Sequence, residues 1–140
     1  MTFKEFAIEK SYINRGSNNF LDSLLKPALR EAAYYRRSVG FFSSSVFSLL
    51  LNSLPSFIRN NGKIHLIVSP ELSNDDIKAI QLGYEKKSDL LNRRFLEDFD
   101  AEIRLFDDVG LDTLAELVAR GILDVKVASV KNDFGIYHDK

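Results

Sequence analysis

The segment Lys63-Ile-His-Leu-Ile-Val-Ser69 is a near-continuous apolar, β-branched run held between Gly62 and Pro70. A short run bounded by such breakers reads as a strand, and its near-continuity predicts one covered on both faces. It follows directly on a helical pattern. Val46, Phe47, Leu50, Leu51, Leu54, Phe57 and Ile58 recur at three- and four-residue spacing, with Pro55 marking a kink or a fresh first turn and Asn60-Asn61-Gly62 the end. Upstream, Tyr34 to Phe42 reads as another strand, ending in Ser43-Ser44-Ser45, whose hydroxyls are placed to cap the following helix. Strand, helix and strand in this order make a βαβ unit, for which parallel pairing and a right-handed crossover are the strong default.

The remainder alternates in the same way. Phe20, Leu21, Leu24, Leu25, Ala28, Leu29 and Ala32 keep helical spacing behind Ser17 or Asn18 as cap, and Pro27 divides them into a short turn and a second helix. Ser73-Asn74-Asp75-Asp76 opens a helix carrying Ile77, Ile80 and Leu82, with Gly83 near its end. Leu90 to Phe106 combines helical spacing with a strand-like Glu102–Phe106, and helix is the preferred reading. Leu111, Leu114, Leu117 and Val118 form a further helical stripe, with Thr113 and Glu116 as a capping box and Gly121 as the stop. Ile122 to Val130 reads as a third strand, and Phe134-Gly135-Ile136-Tyr137 begins a fourth. The expected class is α/β, a mostly parallel sheet covered by helices on both faces, in one domain spanning residues 1–140. Ligands of such sheets sit beyond the carboxyl ends of the strands, which points to Ser43–Ser45, Ser69-Pro70, the turn after Val127 and whatever follows Tyr137.

Composition narrows the chemistry. The 140 residues include 11 Phe and 5 Tyr but no Cys and no Trp, which removes disulfides, thiolate catalysis and cysteine metal sites. No signal peptide is visible, and the longest apolar stretch, Val46 to Leu51, is far too short to span a bilayer, so a cytoplasmic protein without a membrane partner is expected. The net charge of −1 conceals an asymmetry. Residues 1–70 carry nine Lys/Arg against four Asp/Glu (+5), and residues 71–140 carry ten against sixteen (−6). The basic half, with Arg15, Arg36, Arg37, Arg59 and Lys63, leaves room for a polyanionic partner, although Arg36 and Arg37 point to opposite faces of a strand.

No dinucleotide fingerprint, phosphate loop, zinc-protease motif or nucleophile elbow is present. The acidic run Glu97, Asp98, Asp100, Glu102, Asp107, Asp108 and Asp112 reads as a solvated surface, with a magnesium site as the alternative. Two histidines exist. His65, between Ile64 and Leu66, reads as a core or sheet histidine bonded to a neighbour. His138 is followed at i+2 by Lys140, and on a strand those positions share a face. An imidazole can attack phosphorus or pass a proton while an adjacent ammonium neutralises nonbridging oxygens. A surface strand end is the competing reading of the same pair.

The order Val39-Gly40-Phe41-Phe42-Ser43-Ser44-Ser45, Asn61-Gly62-Lys63-Ile64-His65-Leu66-Ile67-Val68-Ser69-Pro70, Leu114–Gly121, Leu123–Ala128 and His138-Asp139-Lys140 resembles the phospholipase D superfamily, over about Phe20 to the last residue. Within it, the chain is similar to the phospholipase D-like nuclease domain at the front of many bacterial DEAD/DEAH-type helicases and restriction-like proteins. The resemblance implies a metal-independent phosphodiesterase that needs no cofactor and acts on nucleic acid, DNA in the first place. His138 would be nucleophile or acid, and Lys140 the phosphate clamp. Two such motifs, from one chain or from the two subunits of a homodimer, face each other in the family. The sequence stops at Lys140, before the family's later Asp and Gly-Ser-x-Asn run. It is therefore expected to be the N-terminal portion of such a domain, inactive alone, with a C-terminal helicase domain in the complete protein. A non-catalytic nucleic-acid-binding or oligomerisation module of the same fold is the alternative, and lipid processing a third class that no sequence feature favours.

Overall fold

Two helix ends deliver the chain into the sheet. The computed structural model describes residues 3–13, 16, 19–92 and 106–129. A 3-10 turn, Phe3–Glu5, and a π-helical turn, Leu21–Leu25, precede α1 (Lys26–Glu31), β1 (Tyr34–Val39), α2 (Ser45–Leu50), α3 (Leu54–Arg59), β2 (Lys63–Val68), α4 (Asn74–Asn92), α5 (Val109–Ala119) and β3 (Leu123–Val127). After α3, Asn61 takes φ 56°. Its N–H donates to Ile58 O at 3.0 Å, and that of Gly62 donates to Phe57 O at 2.9 Å. After α5, Gly121 takes φ 67°. The Gly121 N–H donates to Val118 O and the Ile122 N–H to Leu117 O, both at 2.9 Å. Each pair of bonds is a Schellman turn, which satisfies the last helical carbonyls with the next two residues. A strand begins immediately after each, at Lys63 and at Leu123.

The sheet runs in the order β1-β2-β3. β2 and β3 are parallel, with Ile64 opposite Leu123 and Val68 opposite Val127. The Ile64 N–H donates to Ile122 O at 2.7 Å and that of Ala128 to Val68 O at 2.8 Å. On the other side of β2, the Ser69 N–H reaches Val39 O at 3.3 Å. The α/β class expected from the sequence is therefore present, with a small parallel sheet. The expected fourth strand near Phe134 and most of the Leu90–Phe106 helix lie outside the described residues.

β2 departs from the expectation of two covered faces. Ile64, Leu66 and Val68 are buried, whereas Lys63, His65 and Ile67 are exposed, Ile67 by 41%. β-branched side chains favour extended backbone on either face, so an Ile-Val run reports strand propensity more directly than two-sided burial. His65 is accordingly not a core residue.

The chain divides into two compact units, residues Met1–Tyr35 with Leu50–Lys63, and Arg36–Leu49 with Ile64–Lys140. In the first, Asn19 is the cap, one or two residues later than expected. Its Oδ1 accepts the Asp22 N–H at 2.8 Å, and Lys26 pairs with Asp22 at 2.6 Å, which holds the exposed Asp22 carboxyl below its usual range. Pro55 falls in the first turn of α3, where a missing N–H costs nothing, whereas Pro27 follows directly on the π-helical turn, whose last bond runs from the Lys26 N–H to Leu21 O, inside one continuous helical run. α1 packs on α3, with Leu29, Leu54 and Phe57 buried, and Asn60 Nδ2 donates to Arg30 O at 2.9 Å. Ser53 Oγ is buried there without a hydrogen-bond partner.

In the second unit α4 packs along α5, and α5 lies against β3. Leu114, Ala115, Val118 and Ala79 are fully enclosed. Gly83 does not end α4, which runs on to Asn92. A Cβ at Gly83 would lie 2.7 Å from Ala115 O and 2.7 Å from Val118 Cβ, so the glycine is where the two helices touch. The cap of α5 is Asp108, whose side chain accepts the Leu111 N–H at 2.9 Å; Thr113 lies within the helix rather than at its start.

Two substitutions separate these effects. Gly83→Ala is expected to lower stability by about 1–3 kcal/mol in urea unfolding, because overpacking outweighs the helix-propensity gain of about 1 kcal/mol. Ser53→Ala removes a hydroxyl that has no partner, so the same measurement should show an unchanged or higher urea midpoint.

Candidate functional site

At the carboxyl ends of the strands, in the second unit, the loop after β1 is gripped by two helix starts. Ser73 caps α4: its hydroxyl oxygen accepts the Asp76 N–H at 3.0 Å and its carbonyl accepts the Ile77 N–H at 3.0 Å. Asp76, only 3% exposed, turns its Oδ1 to accept the Ser44 N–H at 3.2 Å. On the other side, Gly110 sits in the first turn of α5, where a Cβ would stand 2.6 Å from Ser44 O. The Ser44 carbonyl itself accepts the Phe47 N–H at 2.9 Å, so both backbone polar groups of Ser44 are bonded. The Ser43 and Ser45 hydroxyls, both exposed, lie 2.9 Å apart, and Ser69, buried at the end of β2, accepts the Glu71 N–H at 3.4 Å. Phe41 projects beside them, 63% exposed.

This region offers hydroxyls on a rigid loop. The starts of α4 and α5 offer little to an anion, since Asp76 in the first turn of α4 and Asp108 at the cap of α5 already complement both helix dipoles internally. Among the described residues no cluster of three or more His, Asp or Glu is placed to hold a metal ion.

The sequence-derived candidates distribute as follows. His138 and Lys140 lie outside the described residues, as do Arg15 and the Glu97–Glu102 part of the acidic run. Of that run, Asp108 caps α5 and Asp112 accepts the Phe106 N–H at 3.2 Å, so both have local backbone roles. Ser43–Ser45 and Ser69 lie in the loops that follow β1 and β2. Arg36 and Arg37 are both exposed on β1. His65 stands on the exposed side of β2, opposite Asp124.

Tyr84 was not singled out by any sequence pattern. Its hydroxyl donates to Asp124 Oδ1 at 2.8 Å, lies 3.3 Å from Val125 O, and accepts the Val125 N–H at 2.9 Å. Ile122 O and Ala128 N bond to β2, so strand alternation turns the polar groups of Val125 to the outer side of β3. Tyr84 therefore occupies the position that a neighbouring strand's backbone would take at Val125. Nothing in the local pattern distinguishes this tyrosine from any half-buried aromatic on a helix. Burial, aided by the adjacent Asp124, raises the phenol above its ordinary pKa of 10.0.

Comparison with protein-family models, with curated proteins and with solved structures finds no match. Among the described residues no helix is long and apolar enough to cross a membrane.

Because the folded-state pKa of Tyr84 is raised, its contribution is complete below pH 10 and declines as pH rises through the folded value. Tyr84→Phe should cost about 1–2 kcal/mol at neutral pH, and chemical unfolding from pH 8 upward should show the wild type losing stability above pH 10 more steeply than the variant.

Proposed function

We propose that this chain belongs to a metal-independent phosphodiesterase that cleaves DNA through a phosphohistidine, as part of a helicase-associated or restriction-like defence protein. One observation carries the reading. An ordered series of strand and helix-end motifs, terminating in His138-x-Lys140, follows the order of phospholipase D-like nuclease domains. The parallel arrangement of β2 and β3 is compatible with it.

In this mechanism an imidazole nitrogen of His138 attacks the phosphorus of a DNA phosphodiester. The P–N bond forms as the P–O bond to the leaving sugar oxygen breaks, and a histidine of a second motif, from a partner subunit, protonates that oxygen. Water, deprotonated by the same second histidine, then attacks phosphorus, releasing the phosphate monoester and free imidazole. Lys140 neutralises the nonbridging oxygens, whose charge grows along the path. No metal or cofactor enters these steps.

The protein that contains this chain should cleave DNA in the presence of EDTA, and His138→Ala should lower the rate by at least about a hundredfold, the scale of losing a nucleophile or proton donor. Cleavage that strictly requires magnesium overturns the mechanism. DNA binding without turnover would instead identify a non-catalytic module.

A further inference from the structure

The exposed side of the sheet in the second unit carries a pattern that the carboxyl-end loop does not. In a parallel pair the N–H of one residue reaches the carbonyl that precedes its partner, as Ile64 does toward Ile122 while facing Leu123. The Ser69 N–H to Val39 O bond therefore places Ser69 beside Gly40, and stepping back by two along both strands places Ile67 beside Ser38 and His65 beside Arg36. On the other side His65 faces Asp124 and Ile67 faces Lys126. Two lateral rows result: Arg36, His65 and Asp124, then Ser38, Ile67 and Lys126.

The centre of these rows is an imidazole and an isoleucine that is 41% exposed, and both outer strands add a cation. Asp124 is the one carboxylate in them, and the Tyr84 hydroxyl donates to its Oδ1 at 2.8 Å. Lys126 is exposed on β3. Flat or apolar side chains on a central strand, with cations to either side, suit a ligand that presents bases to the middle and phosphates to the margins. A duplex keeps its bases stacked inside and would leave the central pair unused.

We propose that this face of β2, with Lys126 and Arg36 at its margins, is a contact surface for single-stranded DNA. The proposal rests on the reading of the protein as one that acts on DNA. It names the form of the strand and where it lies, with bases against His65 and Ile67 and a phosphate at Lys126.

The test is fluorescence anisotropy with a labelled oligothymidylate, measured across salt concentrations in a His138→Ala background so that cleavage does not intervene. Lys126→Gln should flatten the dependence of log affinity on log salt by about 0.7, the value of one single-strand phosphate contact. His65→Ala and Ile67→Ser should each weaken binding by roughly fivefold or more, the scale of losing a stacked base. Lys78→Gln, an exposed lysine on α4 away from the rows, controls for general charge, and thermal unfolding confirms that each variant is folded. The proposal is overturned if the oligothymidylate does not bind. It is equally overturned if Lys78→Gln weakens binding as much as Lys126→Gln, or if His65→Ala and Ile67→Ser leave affinity unchanged. Because the background cannot turn over, binding that follows the expected pattern stands even if the wild type never cleaves DNA, which would sink the nuclease reading alone.

Discussion

Everything in the sheet depends on how two helices stop. At Asn61-Gly62 and at Gly121-Ile122 the chain reverses its hydrogen-bonding direction within two residues and enters a strand at the next one. Such a turn leaves almost no slack between helix and strand. Ile122, whose N–H closes the turn after α5, also offers its carbonyl as the first acceptor for β2 through Ile64, so the end of a helix and the register of a sheet share one residue. A slip of one residue there would exchange the buried Ile64, Leu66 and Val68 for the exposed Lys63, His65 and Ile67.

Features governed by local chemistry were legible from sequence. Pro55 starts a helix because a ring nitrogen without a hydrogen is tolerated in a first turn, Pro27 marks where a π-helical turn gives way to α-helix, and Asn61 and Gly121 end helices because they accept a left-handed backbone. Ser73 was readable as a cap for the same reason. What local chemistry does not determine was missed. Gly83 resembles a helix stop, yet its role is set by Ala115 and Val118, more than thirty positions away. Thr113 and Glu116 have capping-box spacing, but Asp108 reaches the orphan N–H of Leu111 first. The exposed face of β2 followed the same rule, since burial depends on what packs above a strand and propensity does not report it.

The candidate site divides along the same line. That the loop after β1 would matter could be read from the order strand, serine run, helix. That Ser44 would be held at its N–H by a buried Asp76 and closed over at its carbonyl by Gly110 depends on α4 and α5 starting beside the same loop. The chemical character of the region follows from those two contacts: it is rigid, rich in hydroxyls and already supplied with carboxylates. The strands of the same unit carry exposed cations of their own, Arg36 on β1 and Lys126 on β3.

Tyr84 has a consequence for the behaviour of the protein in concentrated solution. An outer strand is adhesive wherever its backbone groups point at water, and at Val125 a side-chain hydroxyl takes up the N–H and stands over the carbonyl. The width of the sheet at that point is guarded by a helix residue, held in place by a carboxylate of the strand itself, Asp124. Because Tyr84 sits mid-helix beside Gly83, where α4 touches α5, the same helix contact that builds the core also keeps the outer side of β3 covered at Val125.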